Sequence, residues 1–182
     1  ADDPSMHSSQ NEQDNRHYAR AAKLAMVEPS DSQECLDFMR EAYRISEQFD
    51  IPVLFRTTTR VAHSKSIVTF GEREEQENIA SPANAFLNHP KLEKTLEALE
   101  AYGCTSPLNR MELNGTKVGV ISASIAYEYA KDAFPADTSF LKLGLTNPLP
   151  MDLIRSFAEK VEKLYIIEEL DDFMESQIRA AG

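Results

Sequence analysis

The densest group of hydrogen-bonding and reactive side chains lies near the start of the chain, in residues 7–14 (His-Ser-Ser-Gln-Asn-Glu-Gln-Asp). Ser9, with Glu12 three positions later, matches the capping-box pattern and predicts a helix N-terminus. Free backbone N–H groups at such a terminus favour an anion. We therefore predict that His7 is catalytic and binds or protonates an anionic oxo group. Its neighbours are predicted to form a binding rim: Ser8, Ser9, Gln10 and Asn11. The alternative is a helix-capping loop with ordinary surface polar side chains.

A second candidate group follows an apolar run, in the segment Arg56-Thr-Thr-Thr-Arg60. Guanidinium groups present a planar fork of donors that recognises carboxylate or phosphate. We therefore predict that Arg56 and Arg60 support the rim by binding an anionic part of the substrate. The alternative is a strand end that arginine side chains simply solvate.

Other kinds of chemistry receive little support from the residues. The turns at 122–124 and 144–148 match neither G-x-G-x-x-G nor a Walker loop, so a nucleotide site is not predicted. No local evidence supports a Ser–His–Asp triad. The acidic residues at 168–172 are typical of a helix N-terminus, and without a histidine they do not predict a metal site.

Composition narrows the possible partners and the compartment. The formal net charge is −11, and no Lys/Arg cluster is present, which argues against nucleic-acid binding. No apolar run approaches about 18 residues, so no membrane span is predicted. The two cysteines, Cys35 and Cys104, are far apart and form no CxxC, which fits a reducing cytoplasm.

The first half of the chain has the pattern of a strand–helix–strand unit. Residues 24–27 and 51–55 are predicted strands, and a helix capped at Ser30 runs between them to about Phe49. A helix over 9–23 precedes them. Ligands of parallel sheets bind beyond the carboxyl ends of the strands. The loops at 28–31 and 56–60, together with the His7 loop, are therefore predicted to converge on one crevice.

The second half alternates strands and helices again. Residues 118–122, 139–143 and 164–167 are predicted strands, each followed by a helix. Residues 71–116 form a junction with a helix over 91–102 and a hairpin turn at Asn114-Gly115. The predicted fold class is α/β with two parallel-sheet units. The predicted segments are 1–70, 71–116 and 117–182, and the chain is expected to be truncated at both ends.

Three segments resemble the alpha subunit of indolepyruvate ferredoxin oxidoreductases, a family of thiamine diphosphate enzymes. They are residues 1–16 (ADDPSMHSSQNEQDNR), 52–64 (PVLFRTTTRVAHS) and 164–171 (LYIIEELD). The resemblance implies that residues 1–70 are the rear part of a pyrimidine-binding-type domain. It also implies that residues 117–182 resemble the carboxy-terminal domain of transketolases.

The resemblance also implies an activity. Such enzymes oxidatively decarboxylate aryl 2-oxoacids to acyl-coenzyme A and pass two electrons to ferredoxin, and the cofactor carries the chemistry. The complete enzyme would hold thiamine diphosphate, magnesium and 4Fe-4S clusters and would pair with a beta subunit.

This chain lacks the GDG…N motif and a cysteine-rich segment, so we expect it alone to be inactive and to hold no cofactor. Two alternatives remain open. One is a non-catalytic docking scaffold, and the other is a thiamine diphosphate enzyme of transketolase or pyruvate oxidoreductase type.

Overall fold

A computed structural model describes residues 13–72 and 85–182, which form two β-sheets covered by helices. The described helices are α1 (Arg16–Ala22), α2 (Ser32–Phe49), α3 (Thr59–His63), α4 (Ala85–Gly103), α5 (Ser124–Ala133), α6 (Met151–Ala158) and α7 (Phe173–Ala180). The described strands are β1 (Ala25–Val27), β2 (Val53–Phe55), β3 (Arg110–Glu112), β4 (Val118–Ala123), β5 (Ser139–Leu143), β6 (Leu145–Asn147) and β7 (Lys163–Ile167). Both sheets contain parallel strand pairs, so the predicted α/β class with two parallel-sheet units is confirmed.

The first sheet has the strand order β2-β1-β6. β1 and β2 run parallel and in register from Ala25 opposite Val53, and α2 is the crossover between them, as predicted. The cap of α2 is Asp31, one residue later than predicted, and its carboxylate accepts from the Glu34 N–H at 2.8 Å. Ser30 takes another role, because its hydroxyl donates to the carboxylates of Glu34 and Glu128.

The second sheet has the strand order β3-β5-β4-β7. β4 lies between β5 and β7 and is parallel to both. The predicted hairpin at Asn114-Gly115 is wrong, because β3 pairs antiparallel with β5 and not with β4. The N–H groups of Asn114 and Gly115 donate to the Ser139 hydroxyl at 3.0 and 3.1 Å. The chain therefore turns at Asn114-Gly115, beside the start of β5. The strands before and after the turn, β3 and β4, are not neighbours, because β5 lies between them in the sheet.

Strand β6 was not predicted from the sequence. It follows β5 after the single residue Gly144, yet it leaves the second sheet and pairs antiparallel with β1. A Cβ at Gly144 would collide with the Leu108 carbonyl oxygen and lie 2.6 Å from the Phe38 ring, so only glycine fits this close approach. The predicted turn at 144–148 is therefore largely a strand.

The two sheets exchange strands across the predicted segment bounds. β3 comes from the 71–116 segment and belongs to the second sheet, whereas β6 comes from the 117–182 segment and belongs to the first. The division into segments at 70 and 116 stays a prediction.

The two larger apolar cores of the described residues stabilise this arrangement. One joins the second sheet to α6 and α7 and includes Leu141, Phe157 and Phe173, each fully buried. The other joins the first sheet to α2 and α4 and includes Ile45 and Leu99. Within the ranges 13–72 and 85–182, no helix is both long and apolar enough to cross a membrane.

Candidate functional site

The carboxyl ends of β1 and β2 bring two of the three predicted loops together. Val27 and Phe55 are paired in the parallel register, so the next residues, Glu28 and Arg56, lie side by side at one edge of the sheet. The third loop carries the predicted catalytic and rim residues. His7, Ser8, Ser9, Gln10 and Asn11 lie outside the described residues. The structure therefore describes the edge on which they are predicted to converge, but not the loop itself.

Arg56 is a buried ion-pair residue. Its residue exposure is 3 %, and its Nη1 lies 2.5 Å from Glu28 Oε1, whose side chain is equally buried. Its Nε donates to Asn15 Oδ1 at 2.6 Å, and Glu169 Oε2 lies 3.8 Å from Nη1. The guanidinium thus faces carboxylates inside the protein.

Glu28 extends this network to the third strand of the sheet. The Thr146 hydroxyl on β6 donates to Glu28 Oε2 at 2.5 Å, and the Glu28 N–H donates to the Gly144 carbonyl at 2.8 Å. Arg56 balances the charge of Glu28, which makes burial of this carboxylate tolerable. The Glu28 side chain, just after β1, therefore links Arg56, just after β2, to Thr146 on β6.

A second arginine, Arg16, joins the same edge, and sequence reasoning missed it. Its Nε donates to Asp14 Oδ1 at 2.8 Å, and its Nη1 donates to Glu168 Oε2 at 2.7 Å. Its Nη2 donates to the carbonyls of Glu169 and Asp171. Arg16 begins α1, so the predicted continuous helix over 9–23 is wrong: Gln13 and Asp14 are not helical.

The physical reason for the late helix start is local competition. The Asp14 carboxylate accepts from the backbone N–H and the Nε of Arg16, at 3.1 and 2.8 Å. Aspartate side chains compete with helical hydrogen bonding in this way and favour turns and caps. The Ser9–Glu12 capping box lies outside the described residues.

Glu168 links Arg16 to the start of α7. Its two carboxylate oxygens accept from the N–H groups of Met174 and Glu175 at 2.8 and 2.9 Å. The acidic strand end was predicted to match a helix N-terminus, and Glu168 does so here. One signal in the sequence could have pointed to Arg16: an acidic residue, Asp14, stands two positions before it and binds it.

Arg60 lies in a different environment from Arg56. It is an exposed residue of α3, a helix capped by the Thr58 hydroxyl. It lines a groove of about 420 Å³. The lining residues are Thr59, Arg60, His63, Ser64, Ile125 and Tyr129. None of these six is acidic, and they offer two basic groups, three hydroxyls and an aromatic ring. This groove is chemically suited to an anion attached to an apolar group.

One described trio has metal-ligand chemistry. Ligand atoms of Asp14, His17 and Asp171 lie within 4.8 Å of one another. The Asp14 carboxylate already binds the Arg16 guanidinium, however, with Nη2 at 2.5 Å from Oδ2. A cation there would face the positive charge of Arg16, so the trio does not fit a metal ion such as magnesium.

A larger groove of about 460 Å³ lies between α6, α7 and the edge of β7. Its walls include Ile154, Leu164 and Ile178. Neither Arg56 nor Arg60 lies there. Its acidic member, Glu175, pairs with Arg179 at 2.6 Å. The other arginine of the groove, Arg155, pairs with Asp152, so both of its guanidinium groups already face carboxylates and it is a poor candidate for binding another.

The fold and the edge define a class of protein, and comparison with known families identifies it. A family profile described as pyruvate flavodoxin/ferredoxin oxidoreductase, thiamine diP-bdg (thiamine diphosphate-binding), matches residues 3–124. This chain belongs to that family, and the resemblance noted from the sequence is confirmed.

Individual relatives within the family are named more specifically than the family itself. Over 198 residues the chain is 40 % identical to the indolepyruvate oxidoreductase subunit IorA of Methanothermobacter thermautotrophicus, covering all of this chain and 32 % of the relative. It is 36 % identical to IorA of Pyrococcus horikoshii, covering 98 % of this chain and 31 % of the relative. The chain thus spans about a third of the length of these curated relatives.

A solved structure shares the fold. It is the 2-oxoglutarate:ferredoxin oxidoreductase of Magnetococcus marinus with 2-oxoglutarate, coenzyme A and succinyl-CoA bound, and its TM-score is 0.63. The match covers 86 % of this chain and 37 % of the other, at 14 % sequence identity. At this identity the likeness supports the fold.

Proposed function

We propose that this chain is part of a 2-oxoacid:ferredoxin oxidoreductase that acts on aryl 2-oxoacids such as indolepyruvate. In the proposed reaction a 2-oxoacid and coenzyme A yield acyl-coenzyme A and carbon dioxide, and two electrons reduce ferredoxin. The observation that carries the proposal is the likeness to IorA proteins along the whole chain. The family match over residues 3–124 supports the same class of reaction.

Substrate recognition is assigned to the edge beyond β2. We infer that Arg60 binds the substrate carboxylate, because it lines a groove together with His63 and the hydroxyls of Thr59, Ser64 and Tyr129. A charge-assisted, bidentate arginine–carboxylate pair fits this task. The rim residues proposed beside it are Ser8, Ser9, Gln10 and Asn11, with His7 as the catalytic acid or base. Arg56 supports the rim from inside through Glu28 and Asn15.

We propose that cofactor binding involves further polypeptide. A 4Fe-4S cluster takes four thiolates, and this chain has two cysteines. The sequence has no GDG…N motif, and the trio of Asp14, His17 and Asp171 does not fit magnesium. We therefore propose that the clusters, the magnesium and the diphosphate end of thiamine diphosphate are held elsewhere in the complete enzyme. A beta subunit and ferredoxin are its proposed partners.

We also propose a cytoplasmic location. Cys35 and Cys104 are free thiols, as expected in a reducing compartment. The reaction itself fits this setting, because reduced ferredoxin and acyl-coenzyme A serve other enzymes as soluble carriers.

The test uses full-length protein assembled with its partner subunit, thiamine diphosphate, coenzyme A and an artificial electron acceptor. We expect turnover of indolepyruvate. We also expect Arg60→Gln to lower kcat/KM by about tenfold to hundredfold, because a hydrogen bond to a charged group contributes about 1.5–3 kcal/mol. Arg155→Gln, on the exposed surface of α6, is the control. Unchanged kcat/KM in Arg60→Gln contradicts the assignment of Arg60.

The docking-scaffold alternative is favoured by one observation. Ile67 and Phe70 are 96 % and 82 % exposed, and Tyr43 on α2 is also exposed, which is typical of surfaces that contact other polypeptide. Full activity after His7→Ala and Arg60→Gln, with loss of complex assembly after Phe70→Ser, would favour this alternative.

A further inference from the structure

One aromatic side chain, Tyr129 on α5, lines the groove that contains Arg60 and lies outside the apolar cores of the described residues. It is 48 % exposed, and Ile125, one helical turn before it, is half-buried in the same groove. From this geometry we infer that Tyr129 determines specificity for aryl 2-oxoacids, by contacting the aromatic ring of a substrate whose carboxylate α3 binds. The inference rests on the proposed function, because it assigns the other end of the same substrate.

The packing of α5 explains why Tyr129 lines the groove and not the core. Tyr127 and Ala130 are buried and pack against the second sheet in a common core. Residues four positions apart lie on the same side of a helix, so Ile125 and Tyr129 form one strip beside this buried face. The core therefore fixes the orientation of the helix and leaves the strip to form one wall of the groove.

The other wall of the groove is polar and comes from α3. Val61 is buried and anchors this short helix, and its N–H donates to the Thr58 hydroxyl at 3.4 Å. At the other end of the helix, the Ser64 N–H donates to the Arg60 carbonyl at 2.9 Å. Arg60 and His63 are three positions apart, so they lie on the same side of the helix. The wall therefore offers two basic groups on a turn that is fixed at both ends.

The two walls together match an anion that is joined to an aromatic ring. α3 supplies positive charge and donors for a carboxylate, and Tyr129 supplies a ring against which an aryl group stacks. The groove volume of about 420 Å³ is within the range of about 300–1,000 Å³ that is usual for small-molecule sites. A second carboxylate in place of the ring would lose hydration against the apolar wall, which is unfavourable. The groove therefore favours aryl substrates over those with a charged end.

The experiment compares wild type, Tyr129→Ser and Tyr129→Phe in the full-length protein, assembled with its partner subunit and thiamine diphosphate. Tyr18→Ser, at an exposed tyrosine on α1, is the matched control. The first readout is kcat/KM, measured separately for indolepyruvate and for pyruvate. The second is the Kd of indole-3-propionate, which has a carboxylate and an indole ring but no reactive oxo group. Calorimetry measures this Kd, and propionate is the probe that lacks the ring.

We expect Tyr129→Ser to lower kcat/KM for indolepyruvate by about tenfold, the lower end of the discrimination that an apolar contact gives in a substrate pocket. The kcat/KM for pyruvate should change by less than about twofold, because pyruvate has no ring to contact Tyr129. A merely structural role of Tyr129 would lower both values together.

The Kd of indole-3-propionate should rise by about tenfold in Tyr129→Ser. Tyr129→Phe keeps the ring, so both of its readouts should stay close to those of wild type, as should those of Tyr18→Ser. An equal loss of kcat/KM for both substrates, an unchanged Kd in Tyr129→Ser, or a Tyr129→Phe variant as weak as Tyr129→Ser overturns the inference.

Failure of the proposed function has a different signature. In that case the wild-type complex turns over no 2-oxoacid at all, and the Kd of indole-3-propionate decides the role of Tyr129 alone. Weaker binding to Tyr129→Ser than to wild type and Tyr129→Phe supports the aryl-binding wall. Equal binding to all three, or no binding to wild type, overturns it. The same binding comparison decides if wild type turns over indolepyruvate but no pyruvate.

Discussion

Two arginines four residues apart have opposite environments, and this difference is decided at the level of single residues. Arg56 directly continues β2, and its N–H donates to the Val27 carbonyl at 3.0 Å, which keeps the residue in the ladder beside Glu28. Arg60 lies beyond the Thr58 cap, in α3, and is exposed. Both have the same chemistry in the sequence, but one stabilises the edge and the other faces a groove.

Glu112 on β3 shows how neighbours outweigh desolvation at a single carboxylate. Burial raises its pKa, but hydrogen bonds from Lys131, Tyr127 and Arg110, at 2.7, 2.7 and 2.8 Å, lower the pKa to about 2. The ionised form is therefore the one that the folded protein prefers.

This depressed pKa has a consequence for stability at low pH. The unfolded chain takes up the Glu112 proton near pH 4.5 and the folded protein only near pH 2, so the stability contributed by Glu112 is present above this window and is lost as pH falls through it. We expect wild type to be more stable than Glu112→Gln at pH 7, and the difference to shrink between pH 5 and pH 3. Urea unfolding at several pH values measures it.

The matched control for the Glu112 experiment is Glu159→Gln, an exposed carboxylate just after α6. It removes the same charge without the three donors. A wild-type advantage over Glu112→Gln that stays constant from pH 7 to pH 3 contradicts the explanation.

At the scale of elements, the turn from β4 into α5 contains an unusual backbone conformation. Ser124, the first residue of α5, has a φ of 51°, in the left-handed region that non-glycine residues seldom adopt. Its hydroxyl donates to the Pro29 carbonyl at 3.4 Å, a long hydrogen bond to the loop after β1. This contact is one of those joining the two sheets.

A pair of substitutions separates the backbone strain from this hydrogen bond. Ser124→Gly and Ser124→Ala both remove the hydroxyl, but only glycine relieves the left-handed conformation. We expect Ser124→Gly to be more stable than Ser124→Ala by about 1 kcal/mol in urea unfolding.

Ser176, an exposed residue inside α7, provides the control. There the helix propensities apply, and Ser176→Gly should be less stable than Ser176→Ala by about 1 kcal/mol. The same sign at both positions would show that Ser124 is not strained.

At the scale of the whole molecule, a buried ion pair crosses between the two sheet units. Lys142 on β5 is completely buried and pairs with Glu34 on α2, and its ammonium lies 4.6 Å from the centre of the Phe38 ring. Burial lowers the pKa of Lys142, and the charge of Glu34 opposes this effect. The second sheet therefore docks on the helix of the first through a desolvated charge pair.

A double-mutant cycle measures this contact. Lys142→Met and Glu34→Gln should each cost about 3–5 kcal/mol of unfolding free energy, because each leaves a poorly compensated buried partner. The double variant should cost about 1–3 kcal/mol less than the two single costs together, because residues in direct contact are energetically coupled.

The control cycle uses the exposed pair of Arg155 and Asp152, which are 3.1 Å apart. Its coupling energy should be below about 1 kcal/mol. Additive costs at Lys142 and Glu34 would mean that the pair does not hold the two units together.

The sequence by itself determined the alternation of strands and helices, the parallel β1–α2–β2 unit and the family, because these follow from local periodicity, capping residues and short motifs. The tertiary structure alone decided the placement of β3 and β6, since hydrogen-bond partners of short strands are chosen by what lies beside them. It also decided the separate environments of Arg56 and Arg60 and the hydrogen bonds that surround the guanidinium of Arg16. Several of the ion pairs that decide burial join residues more than 100 positions apart, such as Arg16 with Glu168 and Glu34 with Lys142, which no local pattern connects.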